Sequence, residues 1–207
     1  MFKSRNDYRS AWDRAYQSDP PIPLNIDVEL CSVCNLECKM CWWGSKEFDE
    51  DMRQPDFDGQ PKKRFMPTSL ALKIIDECAS IGVPALKFNF RGESTLHKDF
   101  SKIIAYAKSL DCFHDLLVNT NAVCKDHAID GLMAATKTMV SLDSLSPDTY
   151  PIIRRGGDLS RAIQIIWELK KRNHPNLWVR RVICKDNKDE KFVQEVKKLF
   201  GDDTLVS

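Results

Sequence analysis

From residue 24 onward the chain repeats one unit about five and a half times: a short strand-like run, a loop, then a helix-like run with an apolar stripe. Residues 24–30, Leu-Asn-Ile-Asp-Val-Glu-Leu, alternate strictly and read as the first strand. Further strands are predicted at 85–90, 115–120, 138–143, 177–184 and 204–206. Helices are predicted from the capping sequence Pro67-Thr68-Ser69 to Gly82, over 98–110, near 127–135, and over 159–173 and 190–200. Strands that alternate with helices call for a parallel sheet with right-handed crossovers.

The strands are unusual for such a sheet. Buried parallel strands read as continuous hydrophobic runs, whereas here one parity is polar: Asn25, Asp27 and Glu29, then Lys87, Asn89 and Arg91, then Asn119 and Asn121, then Ser141 and Asp143. The other parity (Ile26, Val28, Phe88, Phe90, Val118, Val140, Leu142) suits packing against helices. A closed eight-stranded barrel fills its interior with branched apolar side chains and needs ~250 residues. The fold class expected is therefore α/β, an open, partial parallel barrel whose polar face lines a cavity.

Half of the eight cysteines fall in residues 31–41, Cys-Ser-Val-Cys-Asn-Leu-Glu-Cys-Lys-Met-Cys, where the first strand ends. Thiolates this close converge readily on a soft metal centre. The bacterial ferredoxin run has a different order of spacings. A zinc site usually splits its ligands into two separated pairs, and no second pair is present. The third reading takes Cys34, Cys38 and Cys41 alone, as three ligands of a [4Fe–4S] cluster with one iron left open. Cys31 then ends the strand as a small buried residue. Cys78, Cys112, Cys124 and Cys184 are scattered singly and read as buried thiols.

The C-x3-C-x2-C triplet within Cys-Asn-Leu-x-Cys-x-Met-Cys resembles the radical S-adenosylmethionine (SAM) enzymes. The resemblance covers residues 24–207 and implies a (β/α)6-type partial barrel. It also implies one [4Fe–4S] cluster held by Cys34, Cys38 and Cys41, with SAM on the free iron and Met40 near the adenine. Reductive cleavage of SAM would give a 5′-deoxyadenosyl radical that abstracts hydrogen from substrate. Arg91-Gly92-Glu93-Ser94 resembles the family's Gly-Gly-Glu-Pro, which makes Gly92 and Glu93 ligands of the SAM amino group. Arg91 and Ser94 depart from that pattern. Asn119-Thr120-Asn121-Ala122 resembles Thr-Asn-Gly, and Ser141-Leu142-Asp143 resembles Ser-Leu-Asp. Asn119 is thus a candidate SAM contact, with Ala122 departing from the motif's glycine, and Ser141 and Asp143, on one strand face, are placed toward a ribose or carboxylate. Tyr150-Pro-Ile-Ile-Arg154-Arg155-Gly156 resembles Tyr-x-x-Ile-Arg-x-Gly, with Arg154 toward the SAM carboxylate. Asn187 resembles an asparagine many members carry. Arg180 shares a strand face with Trp178 and is a weaker cavity candidate.

Within the superfamily the nearest look is to the group with an auxiliary-cluster (SPASM) domain, although no second cysteine-rich segment follows the last strand. A peptide or protein is favoured as substrate over a sugar or small molecule, and a flavodoxin or ferredoxin is the implied electron donor. The alternative is a non-catalytic iron–sulfur protein on a degenerate barrel.

The remaining features are plainer. Residues 1–23 read as a helical extension, with Tyr8, Trp12 and Tyr16 on one face, followed by a linker with Pro20, Pro21 and Pro23. Residues 43–66 read as a long polar loop that, with Trp42 and Trp43, could shield the site. His97, His114, His127 and His174 lack metal-ligand spacing and are expected at the surface. A net charge of +1 carries no nucleic-acid signal, and no apolar run approaches a membrane span. With no signal-peptide core at the start, a reducing cytoplasm is expected.

Overall fold

The computed structural model describes residues 2–17, 19–46 and 64–207. Six strands form one parallel sheet in chain order: β1 (Ile26–Asp27), β2 (Ala85–Lys87), β3 (Asp115–Thr120), β4 (Lys137–Ser141), β5 (Leu177–Arg180) and β6 (Leu205–Val206). Every neighbouring pair is parallel. β1 and β6 do not pair with each other, so the sheet is an open partial barrel as the polar face required.

Helices cover the outer face: α2 (Thr68–Ile81), α3 (Phe100–Ser109), α4 (Ile129–Ala134), α5 (Tyr150–Ile153), α6 (Leu159–Lys171) and α7 (Phe192–Phe200). The apolar strand parity meets their stripes in one core. Val28, Phe88, Val118, Val140, Leu142 and Val179 pack with Ile75, Phe100, Ile104, Leu132, Ile166 and Val196. Gly82, at φ 82°, ends α2 in the left-handed conformation that glycine adopts without steric cost.

α1 (Arg5–Arg14) lies at the amino-terminal ends of the strands. Tyr8 is buried with Leu24 and Ala85, stacks on His114, and Arg5 bonds Asp115 at the first residue of β3 at 2.9 Å. The expected aromatic face is realised only at Tyr8. The helix ends at Arg14, leaving Trp12 at 40% and Tyr16 at 98% exposure.

Other expectations need correction. β1 keeps two residues of the seven predicted, although the Val28 amide still bonds the Lys87 carbonyl at 2.7 Å. β2 stops at Lys87 and the chain turns, so Phe90 is 60% exposed instead of packed. Thr68 does not cap α2; its hydroxyl bonds Asp99 at 2.6 Å. α5 carried no helical periodicity at four residues. His97 is buried, bonded to the Met66 carbonyl, and His114 and His174 are half-buried; only His127 is at the surface as expected. Of the 43–66 loop, residues 47–63 lie outside the described residues. Its end returns as an antiparallel bridge between Phe65 and Cys31, with the Met66 amide on the Leu30 carbonyl at 2.8 Å.

Candidate active site

The cysteine loop leaves β1 and crosses the carboxyl-terminal ends of the strands, where βα folds place their chemistry. It is stitched down by backbone bonds. The Glu37 and Lys39 amides donate to the carbonyls of Arg155 and Ile153, each at 2.9 Å. Trp43 Nε1 donates to the Ser32 carbonyl at 2.8 Å, and Lys39 pairs with Asp186 at 2.8 Å. The segment 150–157 therefore buttresses the loop, a role its residue types did not reveal.

Cys34, Cys38 and Cys41 line one cleft of about 200 Å³ with Met40, Gly92, Glu93, Asn119, Asn121, Ser141 and Arg154. A roomier groove of about 520 Å³ between α1, the proline linker and the end of α2 holds no thiol. Among the described residues no three His, Cys, Asp or Glu side chains are close enough to share a single metal ion. The thiolates of an iron–sulfur cube bind different irons and need not converge on one point.

Cys31 stands apart from the triplet. Its thiol donates to the Glu93 carbonyl at 3.1 Å, is 2% exposed, and burial pushes its pKa up to about 12. Burial also pushes Cys34 up to about 12 and raises Cys38, the latter opposed by the neighbouring Arg154 cation. As free thiols these groups keep their protons, and metal binding must displace them.

Gly92 is dictated by proximity. A Cβ there would lie 2.3 Å from the Cys31 carbonyl oxygen and 2.5 Å from that of Val33. No side chain fits between this turn and the cysteine loop. Glu93 follows with its carboxylate buried: Oε1 accepts from the hydroxyls of Thr95 (2.7 Å) and Thr120 (2.8 Å), and Oε2 from the Asn121 amide (2.8 Å). It thus ties the end of β2 to the end of β3, while Oε2 retains capacity for one more donor. The two departures from the family pattern have local partners. Arg91 makes a bidentate pair with Glu29 and lies over the Trp43 ring at 4.7 Å, and the Ser94 hydroxyl bonds the Phe88 carbonyl.

Asn119 and Ser141 meet across β3 and β4, Ser141 Oγ donating to Asn119 Oδ1 at 3.1 Å. Asp143 does not follow Ser141 into the cleft. Its φ of 68° turns the carboxylate beneath it, where Oδ2 accepts from Arg154 Nε at 2.5 Å and Oδ1 from the Val182 amide at 2.7 Å. Arg154 is largely enclosed, its side chain 11% exposed, not a surface cap, and it also donates to Cys38 Sγ at 3.4 Å. Asn187 is fully buried and donates to the Asp143 and Val182 carbonyls, a fastening of the loop after β5. Asn121, which the sequence places only on the polar strand face, joins the site: its Nδ2 bonds Asn35 Oδ1 at 2.9 Å inside the cysteine loop. Phe90 and Val182 at the rim carried no recognisable signal.

Residues 28–199 match the radical SAM superfamily model. This chain belongs to the radical SAM superfamily. Members use a [4Fe–4S] cluster and SAM. GTP 3′,8-cyclase of Clostridium botulinum is 26% identical over 182 residues, 84% of this chain and 52% of that protein. The enzyme of the same name from Lactiplantibacillus plantarum is 22% identical over 183 residues, 87% of this chain and 52% of that protein. The chain thus spans about half the length of the curated relatives it matches. Streptococcus suis SuiB bound to S-adenosylmethionine superposes with a TM-score of 0.66 at 15% identity, covering 96% of this chain and 44% of that one. That likeness concerns the radical SAM fold.

Proposed function

We propose that Cys34, Cys38 and Cys41 each ligate a different iron of one [4Fe–4S] cluster and that SAM occupies the cleft beside it. The observation that carries this reading is the meeting of the three thiols with the Gly92-Glu93 turn in one cleft. Bound there, the reduced cluster and SAM would supply a 5′-deoxyadenosyl radical for hydrogen abstraction. The protein's part is geometry and shielding. Glu93 and the turn carbonyls accept from the SAM amino group; Met40 packs near the adenine; Asn119 and Ser141 reach the ribose. Arg154, oriented by Asp143, faces the SAM carboxylate and donates to Cys38. A flavodoxin- or ferredoxin-type donor in the cytoplasm supplies the electron.

For substrate, a peptide or protein side chain is favoured by the apolar rim. Phe90, Val182 and Ile183 stand 60%, 50% and 67% exposed, Phe90 and Val182 lining the cleft itself. A purine nucleotide is the second reading, favoured by the cyclase relatives. The test is production of 5′-deoxyadenosine by protein reconstituted with iron and sulfide under dithionite. Wild type is expected to form it and Cys38→Ala is expected to form none. Equal output from both would overturn the ligand assignment.

A further inference from the structure

Among the described residues, the cations at the hollow of the half barrel differ in their partners. Lys87 pairs with Asp27 at 2.8 Å, Arg91 with Glu29 at 2.5 Å and Arg154 with Asp143 at 2.5 Å. Each of those charges is matched by a carboxylate of the protein. Arg180 is not. It ends β5 in register with Ser141, on the strand face opposite the buried Leu177 and Val179, and so points into the hollow. Among the described residues it makes no ion pair; its polar contact is Nη1 to Met139 Sδ at 4.0 Å. Arg180 is exposed, two residues before Val182 on the rim.

Its surroundings deepen the contrast. Below it on the same face, Lys137 sits over the Trp178 ring at 4.5 Å and, among the described residues, likewise makes no ion pair. The nearby acid Asp115 is bonded to Arg5. Burial lowers the Lys137 pKa, and Arg180 is one of the cations that add to that lowering. Two cations, an indole floor and the Ser141 hydroxyl thus share one wall beside the cleft.

We propose that Arg180 is a specificity-determining residue that receives an oxyanion of the substrate, a carboxylate or a phosphate, in the hollow next to the thiol-lined cleft. A planar guanidinium with open donors matches either group in bidentate fashion. The proposal rests on the substrate entering the half barrel, as the functional reading holds.

The test titrates GTP and, separately, triglutamate into the reconstituted protein by calorimetry at constant ionic strength, with and without SAM. At least one probe is expected to bind. Arg180→Met should weaken it about ten-fold or more, the scale of one charge-assisted contact, and Arg180→Lys should weaken it less. Lys102→Met, the same change of charge at an exposed position of α3, should leave the affinity unchanged. GTP alone binding identifies a phosphate-bearing substrate, and triglutamate alone a carboxylate-bearing one. Binding of neither probe, or equal binding by wild type and Arg180→Met, overturns the proposal. Absence of 5′-deoxyadenosine from wild type would instead contradict the functional reading, with the anion titration still readable on its own.

Discussion

Gly92 and Cys31 meet in one contact that sets the distance between the cysteine loop and the turn after β2. The absent Cβ of Gly92 leaves room for the Cys31 and Val33 carbonyls, and the Cys31 thiol closes the contact on the Glu93 carbonyl. Gly92→Ala forces backbone apart on both sides. Overpacking of this kind costs about 1–3 kcal/mol, so denaturant unfolding should show that loss, with weaker SAM binding because the turn is displaced from the thiols. Cys31→Ala removes a hydrogen bond worth about 1 kcal/mol and none of the proposed ligands. Its iron content after reconstitution should equal that of wild type, whereas Cys34→Ala should lose the cluster. A drop in iron with Cys31→Ala would make Cys31 a fourth ligand and contradict the three-cysteine assignment. At this scale the sequence brought the right residues together: the three thiols at fixed spacing and Gly92 line one cleft, Gly92 at a place with no room for a side chain. Asp143 was less legible, because its left-handed backbone breaks the strand parity that placed it beside Ser141.

Among the elements, α1 is joined to the barrel by few contacts, and they can be tested singly. Tyr8 supplies its buried aromatic and Arg5 its ion pair to β3. Truncating a buried aromatic costs about 3–5 kcal/mol. Tyr8→Ala should lower global stability on that scale or release the helix, while leaving iron binding at the opposite end of the strands intact; Trp12→Ala, at a 40% exposed position, should be nearly silent. The loop after α6 gives a pH test. His174 Nε2 donates to the Leu132 carbonyl at 3.0 Å and Nδ1 accepts from the Asn176 amide at 3.1 Å, which requires the neutral ring. Burial lowers its pKa from the ordinary 6.5. The unfolded chain therefore takes up a proton below pH 6.5 that the folded ring resists, and stability present above that value falls as the pH drops below it. Unfolding of wild type and His174→Asn followed between pH 7 and 5 should show a steeper loss in wild type. The longer elements, β3, α2, α3 and α6, were readable from periodicity because each buries one complete face. β1 and β2 were read too long, since their polar ends continue the alternation after the ladder has stopped.

For the whole molecule, the polar strand parity and the open sheet are two views of one fact. A sheet that does not close leaves its inner face to solvent, cofactor and substrate, and polar side chains there meet no desolvation cost. That relation made the architecture legible from the strands alone. The same openness hid the substrate, because the rim residues Phe90, Val182 and Ile183 obey no spacing rule. The central claim is that three thiols and the adjoining turn hold a cluster with an open iron for SAM. Electron paramagnetic resonance of the anaerobically reconstituted, reduced protein tests it most directly. The account predicts a [4Fe–4S]⁺ signal that changes when SAM is added; a cluster signal indifferent to SAM, or zinc in place of iron in protein purified without air, would contradict it.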